Sequence, residues 1–323
     1  MKTTVIYHSA DYDGIFCREI AKHFLGDKDV EYIGWNFGDA PVTFPSEGRV
    51  YVMDLPLDKP FGCPRPPSEM ASRVIWIDHH KSAIDSHPAA IAGYRIDGVA
   101  ACRLAWQWFA SKHTGGAEFL ARIQDYIDRK VSEPMAVRLA GEYDIWDKRD
   151  PGVDTFQYGL RCWELTALDW KQMLRLSERP TVEELEQMIA VGHYYDVVNP
   201  DGTTTPEIVW GLLKDGEIVQ RYSQKTDADL VTHRSFRLKW EGLDFLCLNT
   251  GRFNSLTFAA LDKPETGHDA LLGFMWNGKV WTVSLYHADH RKDLDLSIIA
   301  VKHGGGGHRG ACGFTCKALP FQL

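Results

Sequence analysis

The sequence lacks the features of a membrane protein and of a secreted protein. None of its apolar runs approaches the length of a transmembrane helix, and no long apolar stretch lies near its first residues. Its seven cysteines are scattered and have no CxxC spacing, and the nearest pair, Cys312 and Cys316, has no second pair with which to form a zinc site. We therefore expect reduced thiols and a cytoplasmic protein that makes no contact with a membrane.

The sequence also lacks an excess of positive charge. It has 36 lysines and arginines against 44 aspartates and glutamates, which gives a net charge of −8. Stable binding of long nucleic acid depends on many phosphate contacts from lysine and arginine, so we do not expect such a partner. A small phosphorylated substrate remains compatible with this charge, because bound cations can reverse the field locally.

The length and the apolar pattern indicate more than one domain. The 323 residues are enough for two domains with sizeable cores. Short apolar strands alternate with helical patterns early in the chain, which predicts an α/β fold with an open, mainly parallel sheet flanked by helices. From Phe236 onward strands dominate, with a hairpin at Asn277-Gly278. We expect a first domain over 1–198, a helical linker over 199–235 and a smaller C-terminal α/β domain over 236–323.

Two predicted strands end abruptly in groups that can bind metal ions. The apolar run Val74–Ile77 has the composition of a buried strand and ends in the triplet Asp78-His79-His80. By itself, this triplet is equally compatible with a strand cap or a hydrogen bond to a loop. An earlier strand, Arg49–Met53, ends in the same manner at Asp54.

The first predicted strand, Thr3–Tyr7, leads into a polar loop and then a helix. The loop and the start of the helix carry His8, Asp11 and Asp13. Helix capping would explain one of the two aspartates, but not both together with the histidine. Ligands in open α/β sheets bind beyond the carboxyl ends of the strands, and these residues stand at such an end.

The polar groups after the three strands converge if those strands are parallel neighbours. Several carboxylates in one place repel one another unless cations neutralise them. Carboxylate and imidazole ligands without a thiolate suit Mn²⁺ better than a structural zinc site, and Mg²⁺ is the alternative. A fourth group follows later, where a short helix that begins near Pro134 ends in Asp144. On its own, that segment is typical of a solvated helix end with Trp146 in the core.

A run of four glycines after the predicted helix Leu294–Lys302 is a candidate phosphate-binding segment. One glycine commonly ends a helix, but four in succession before a histidine let backbone N–H groups approach an anion closely. The candidate substrate contacts here are Gly305, Gly306, Gly307, His308 and, with less support, Arg309.

Other candidates for substrate binding are weaker. Arg252 and Asn254 lie in a polar segment after a strand, where they could contact a ribose or a base, although a plain surface loop explains them equally well. Four aromatic residues could stack on bases, although core packing is favoured for most of them: Trp163, Trp170, Tyr194 and Tyr195.

Taken together, these segments resemble the DHH phosphoesterase superfamily, in its branch with a C-terminal DHHA1 domain, which includes the nano-RNases and oligoribonuclease-like enzymes. The matching segments are 8–14, Asp54, 78–80, 144–146 and the glycine-histidine run, and they follow the family's order. The resemblance covers almost the whole chain. It implies a DHH domain, a DHHA1 domain and a phosphoesterase with two metal ions, usually Mn²⁺.

The resemblance also implies a role for each residue. One ion would be held by His8 and Asp11, the other by Asp13, His79 and Asp144, and Asp54 would bridge the two. Asp78 would orient a histidine, and His80 would face the scissile phosphate. The glycine run and His308 would hold a substrate phosphate.

The implied reaction is attack on a phosphodiester by water activated between two metal ions. We expect a substrate bound between the domains and favour short oligoribonucleotides or linear dinucleotides, with nucleoside monophosphates as products. Cyclic mononucleotides, cyclic dinucleotides, 3′-phosphoadenosine 5′-phosphate and longer single strands remain open as substrates, and so does a homodimer. A non-catalytic nucleotide sensor is the alternative of another class, and the intact set of ligand candidates argues against it.

Overall fold

The computed structural model describes residues 2–62, 71–87, 90–113, 121–147, 149–176, 197–198, 204–251 and 253–323. The chain forms two compact units, Met1–Ile218 and Val219–Leu323. The division falls inside a helix, Glu207–Arg234, that lies within the predicted linker 199–235. The three-part division expected from the sequence stays a prediction.

The first unit is built on a parallel sheet of four strands. They are β1 Thr3–His8, β2 Val30–Trp35, β3 Arg49–Met53 and β4 Val74–Ile77, and their order is β2-β1-β3-β4. Every pairing is parallel, as predicted. Alternate residues enter separate apolar clusters, with Val5 in one and Ile6 in the other. The interior strands β1 and β3 and the short β4 are therefore mostly apolar, as expected for a parallel sheet covered on both faces, whereas the edge strand β2 carries an exposed Glu31.

The described part of this unit also contains helices, the last of which continues into the second unit. They are α1 Tyr12–Leu25, α2 Lys81–Ser86, α3 Ala101–His113, α4 Ile123–Ile127, α5 Met135–Asp144, α6 Gly152–Leu160, α7 Ala167–Met173 and α8 Glu207–Arg234. A two-stranded ladder pairs β5 Val197–Val198 with β6 Thr204–Thr205. No helix among the described residues is both long and apolar enough to cross a membrane.

Glycine lies inside α8 at a close contact with another helix. A Cβ atom at Gly216 would lie 1.9 Å from the carbonyl oxygen of Thr155 in α6. Gly159 is as tightly placed, because its Cβ would lie 2.1 Å from the carbonyl oxygen of Leu212. The two glycines let the backbones of α6 and α8 approach closely, which offsets the low helix propensity of glycine.

The second unit contains a six-stranded sheet. Its strands are β7 Phe236–Trp240, β8 Leu243–Asn249, β9 Ala270–Trp276, β10 Trp281–His287, β11 Gly306–His308 and β12 Ala311–Cys316. The order is β11-β12-β10-β9-β8-β7, and β8 and β9 are parallel while the other neighbours are antiparallel. A short helix, α9 Ser297–Lys302, packs on it, so the smaller α/β domain is confirmed.

Candidate metal centre

The centre lies at the carboxyl edge of the parallel sheet, where the strand order reverses. The chain passes from β1 to its neighbour β2 on one side and then to β3 on the other side. Crevices that hold ligands form at such reversal points in open α/β sheets. His8 is the last residue of β1, while Asp54 and Asp78 directly follow β3 and β4.

The loop after β1 brings His8 and Asp11 together. Asp11 caps α1, because its Oδ1 accepts a hydrogen bond of 3.1 Å from the Gly14 backbone. Its Oδ2 lies 2.9 Å from Nδ1 of His8. A Cβ atom at Gly14 would lie 1.9 Å from the carbonyl oxygen of His8, so only glycine allows this tight start of the helix. The helix cap considered from the sequence is therefore present, and the same carboxylate also faces His8.

Asp13 is buried in the first turn of α1 and is held by the start of another helix. Its Oδ2 accepts a hydrogen bond of 2.9 Å from the Ala101 backbone, and its Oδ1 accepts one of 2.8 Å from Cys102. Both donors are in the first turn of α3, where backbone N–H groups need partners and favour negative charge. The same Oδ2 lies 3.7 Å from Nε2 of His79.

Asp54 directs its two carboxylate oxygens toward two different histidines. Oδ2 lies 3.4 Å from Nδ1 of His8, and Oδ1 lies 3.4 Å from Nε2 of His79. The residue is 2% exposed, and its φ of 58° is in the left-handed region. Aspartate and asparagine tolerate that region better than most residues. The turn after β3 thus points the carboxylate into the centre.

The Asp78-His79-His80 triplet separates into different contacts. Asp78 is fully buried, and its Oδ1 lies 2.7 Å from Nδ1 of His80 and accepts hydrogen bonds from the backbones of His79 and His80. Asp78 therefore orients the ring of His80. His79 directs its Nε2 toward Asp54 and toward Asp144, whose Oδ2 lies at 3.3 Å. Asp144 ends α5, as the sequence indicated.

These side chains form three overlapping groups, each with ligand atoms close enough to share an ion. The first group is His8, Asp11 and Asp54; the second is Asp13, His79 and Asp144; the third is Asp54, His79 and His80. The first two groups coincide with the two ligand sets that the resemblance implied. Asp54 belongs to the first and third groups, and its contact with His79 joins the first group to the second.

The electrostatics of the centre favour cations. Burial and the neighbouring Asp13 and Asp11 raise the pKa of Asp54 well above its usual range. Burial acts to lower the pKa of His8, but hydrogen bonds and charge from Asp11 and Asp54 outweigh it and raise that pKa to about 11. Without a cation, the Asp54 carboxyl group is thus in an environment that opposes its ionisation.

Asp144 provides a separate test of whether the residues fit a metal ion. Burial and the charge of Asp13 raise the pKa of its carboxyl group well above its usual range. Its Oδ2 is buried and has no hydrogen-bond partner among the described residues. It lies 3.3 Å from Nε2 of His79, and a buried carboxylate oxygen that no hydrogen bond satisfies fits a metal ligand. The donor set of carboxylate and imidazole suits Mn²⁺ and leaves other divalent ions possible in chemical terms.

The glycine-histidine segment of the second unit adopts a strand where the sequence pattern indicated a loop that binds anions. Gly306, Gly307 and His308 form β11 at the edge of the sheet and pair with β12. The φ of Gly307 is 129°, and a Cβ there would lie 2.7 Å from the carbonyl oxygen of Ala311. Glycine is therefore required by the pairing itself, and a role in phosphate binding stays a prediction.

The other predicted substrate contacts are engaged within the fold or lie outside the described residues. Gly305 is also sterically required, because its Cβ would lie 2.0 Å from the carbonyl oxygen of Gly313. Nε of Arg309 lies 3.5 Å from Oδ2 of Asp295, and its Nη2 donates a hydrogen bond to the backbone carbonyl oxygen of Asp293. Asn254 caps a 3-10 helix, Ser255–Phe258. Arg252 lies outside the described residues.

Sequence reasoning missed two residues beside His8. Oδ1 of Asn36 lies 3.3 Å from Nε2 of His8, and the ring of Phe37 packs at a centroid distance of 5.9 Å from the imidazole. Both follow β2, which ends at the same edge of the sheet as β1. That position was the available signal.

No protein-family model and no curated protein matches the sequence. Solved structures with a similar fold include the DHH domain of a member of a family of ribosomal proteins, at 11% identity, a TM-score of 0.51 and coverage of 97% of this chain and 82% of that chain. Another is a pGpG-specific phosphodiesterase, PggH, from Vibrio cholerae, at 15% identity, a TM-score of 0.45 and coverage of 98% of this chain and 94% of that chain. A third is exonuclease RecJ bound to manganese, at 12% identity, a TM-score of 0.45 and coverage of 97% of this chain and 85% of that chain. The first comparison confirms the fold.

Proposed function

From the DHH fold of this chain and its paired ligand groups, we propose that the protein is a phosphodiesterase that depends on divalent metal ions. The observation that carries this proposal is the placement of Asp54, whose two oxygens each lie 3.4 Å from a histidine of a different ligand group. A carboxylate in that position suits a bridge between two ions. Two-metal centres are a recurring solution for in-line displacement at phosphorus.

The residues of the first unit would divide the work between two ions. His8 and Asp11 would hold one ion, Asp13, His79 and Asp144 would hold the other, and Asp54 would contact both. We favour Mn²⁺ at both positions because of the mixed nitrogen and oxygen ligands. When bound, the ions would lower the pKa of a water molecule and neutralise charge on the phosphoryl oxygens.

His80 would act on the phosphate through its Nε2 atom. Its Nδ1 is engaged by Asp78 at 2.7 Å, which fixes the ring and leaves Nε2 to point away from that carboxylate. Burial acts to lower the pKa of His80, but the hydrogen bond to Asp78 outweighs it and raises the pKa. In its protonated form, which the raised pKa favours, the ring would donate a hydrogen bond from Nε2 to a phosphoryl oxygen as negative charge develops there.

The proposed substrates are short oligoribonucleotides or linear dinucleotides, and the proposed products are nucleoside monophosphates. The net charge of −8 disfavours long nucleic acid, which is bound mainly through many basic residues. Gly305, Gly306, Gly307 and His308 are the segment that we propose contacts a second phosphate of the substrate.

The experiment is a product assay with added Mn²⁺. The substrates are di-, tri- and longer ribonucleotides, cyclic dinucleotides and cyclic mononucleotides, and Asp54→Asn serves as the inactive control. We expect mononucleotide from the di- and trinucleotides and no turnover after metal is removed with a chelator. Hydrolysis of a cyclic substrate alone would correct the substrate class. Metal binding without turnover of any phosphodiester would contradict the proposal and favour a nucleotide sensor.

A further inference from the structure

Phe37 is an exposed aromatic residue that contacts the candidate metal centre. Its side chain is 53% exposed, although phenylalanine is usually buried. The ring packs edge to face against His8, with the centroids 5.9 Å apart and the planes at 74°. It packs in a similar manner against Trp35, at 5.5 Å and 66°. The phenyl ring thus combines fixed neighbours with a large exposed surface beside a predicted metal ligand.

The turn that carries Phe37 is held by its own hydrogen bonds. The Asn36 side chain accepts a hydrogen bond of 2.8 Å from the Phe37 backbone, and the Asp39 side chain accepts one of 2.8 Å from the Asn36 backbone. The indole N–H of Trp35 donates to the carbonyl oxygen of Ala40 at 3.2 Å. The ring is therefore presented in a defined position before any ligand binds, which reduces the entropy lost on binding.

We infer that Phe37 stacks on the base of one of the two nucleosides that the scissile phosphate joins. This inference rests on the proposed phosphodiesterase function and adds a source of specificity for nucleotides. The contact with His8 restricts the partner to a group close to the reacting phosphate. The flat, apolar and aromatic group nearest to that phosphate in an oligoribonucleotide is a base.

Stacking of this kind is tolerant of base identity, because every base presents a π face. Phe37 would therefore separate nucleotides from phosphodiesters that have no base, and it would discriminate only weakly among the four bases. The effect expected for one stacked base is about 5- to 150-fold in binding or in kcat/KM.

Phe37 could instead only pack against His8 and shield it. The two roles predict different results. Loss of a stacking surface weakens binding of substrates that carry the base and leaves Mn²⁺ affinity unchanged. Loss of packing against His8 weakens Mn²⁺ binding and affects all substrates equally.

The test uses the full chain loaded with Mn²⁺ and compares a dinucleotide with abasic analogues of the same backbone. Phe37→Leu keeps apolar bulk but removes the ring, Phe37→Tyr keeps the ring, and Tyr222→Leu makes a similar change at a residue that is 70% exposed in α8. Measurements are kcat/KM, binding of each ligand by calorimetry and Mn²⁺ affinity.

We expect Phe37→Leu to lower kcat/KM and affinity for the dinucleotide by about 5- to 150-fold, with the analogue that lacks the stacked base unaffected. Phe37→Tyr and Tyr222→Leu should resemble the wild type, and Mn²⁺ affinity should not change in any variant. An equal loss on all ligands, or a loss of Mn²⁺ affinity, would overturn the inference. If the wild type hydrolyses none of these ligands, the proposed function fails. The stacking inference is then tested by calorimetry alone, and it would be overturned if the wild type and Phe37→Leu bound the dinucleotide with equal affinity.

Discussion

Asp54→Asn should have opposite effects on the protein with and without metal. In the metal-free protein, the buried Asp54 carboxyl group lies among other carboxyl groups, and burial with Asp13 and Asp11 raises its pKa. A neutral amide of the same shape removes that repulsion. Asparagine also tolerates the φ of 58° at this position. The metal-free variant should therefore be at least as stable as the metal-free wild type.

The effect of added Mn²⁺ should be much smaller in the variant. An ion present at about 100 times its Kd, and bound only by the folded protein, adds about 2.7 kcal/mol to the free energy of unfolding. For a unit of this size, that corresponds to an increase of roughly 5–11 °C in Tm. Mutation of a residue that only hydrogen-bonds to a metal ligand typically lowers metal affinity by about 10- to 100-fold, so loss of a direct ligand should lower it by at least that much. A 100-fold loss would reduce the added stability to about 0.4 kcal/mol.

The assay is thermal unfolding of chelator-treated protein, followed by titration with Mn²⁺. Asp54→Ala is the matched variant, because it removes the same carboxylate but places alanine at a positive φ and should lower the metal-free Tm. The reasoning would be refuted if Mn²⁺ raised the Tm of Asp54→Asn by as much as it raises the Tm of the wild type. A metal-free Asp54→Asn that is clearly less stable than the wild type would refute it as well.

Three further substitutions test how the roles are divided. Asp144→Asn should bind one Mn²⁺ ion per chain where the wild type binds two, because Asp144 belongs to one ligand group. Metal analysis after gel filtration measures the number of ions, and two ions bound to the variant would contradict the prediction. His80→Ala should retain Mn²⁺, and its kcat should fall by about 10²–10³-fold, the loss typical when one hydrogen-bond donor to a developing oxyanion is removed. Steady-state kinetics measure this, and an unchanged kcat would show that His80 takes no part in the mechanism. His308→Ala should also retain its Mn²⁺ while kcat/KM falls by about 10- to 150-fold, the range for a hydrogen bond to a charged group, whereas loss of bound metal would place His308 among the ligands.

The sequence predicted the first sheet well, and it also marked the polar residues at the carboxyl ends of the strands, because the two patterns have one cause. Strands buried on both faces are apolar throughout, so their ends are abrupt, and polar residues at those ends stand out. Parallel strands then place those ends at one edge. His8 ends β1, while Asp54 and His79 come after β3 and β4, and the carboxylate oxygens of Asp54 lie 3.4 Å from each of the two histidines.

Contacts between distant segments could not be predicted in this way. The partners of Asp13 are backbone N–H groups of α3, which are 88 and 89 residues further along the chain and have no signature in side-chain pattern. Phe37 is a single aromatic residue in a polar turn, so no periodicity marks it. Its proximity to His8 follows only from the pairing of β1 with β2.

Two local expectations differ from the structure, one in burial and one in turn length, each for an identifiable reason. Trp146 is 49% exposed and has a φ of 60°, because α5 ends at Asp144 and the chain turns outward immediately afterwards. The hairpin at Asn277-Gly278 is present, because β9 and β10 pair antiparallel, but four residues rather than two separate the strands. The Asn277 side chain accepts hydrogen bonds from the backbones of Lys279 and Val280, and this holds four residues between β9 and β10.

The most direct test of the two-metal centre is anomalous X-ray diffraction from crystals of the wild-type protein grown with Mn²⁺. We predict two peaks of anomalous density, one bounded by His8 and Asp11 and the other by Asp13, His79 and Asp144, with the Asp54 carboxylate in contact with both. A single peak, or peaks that Asp54 does not touch, would contradict the account.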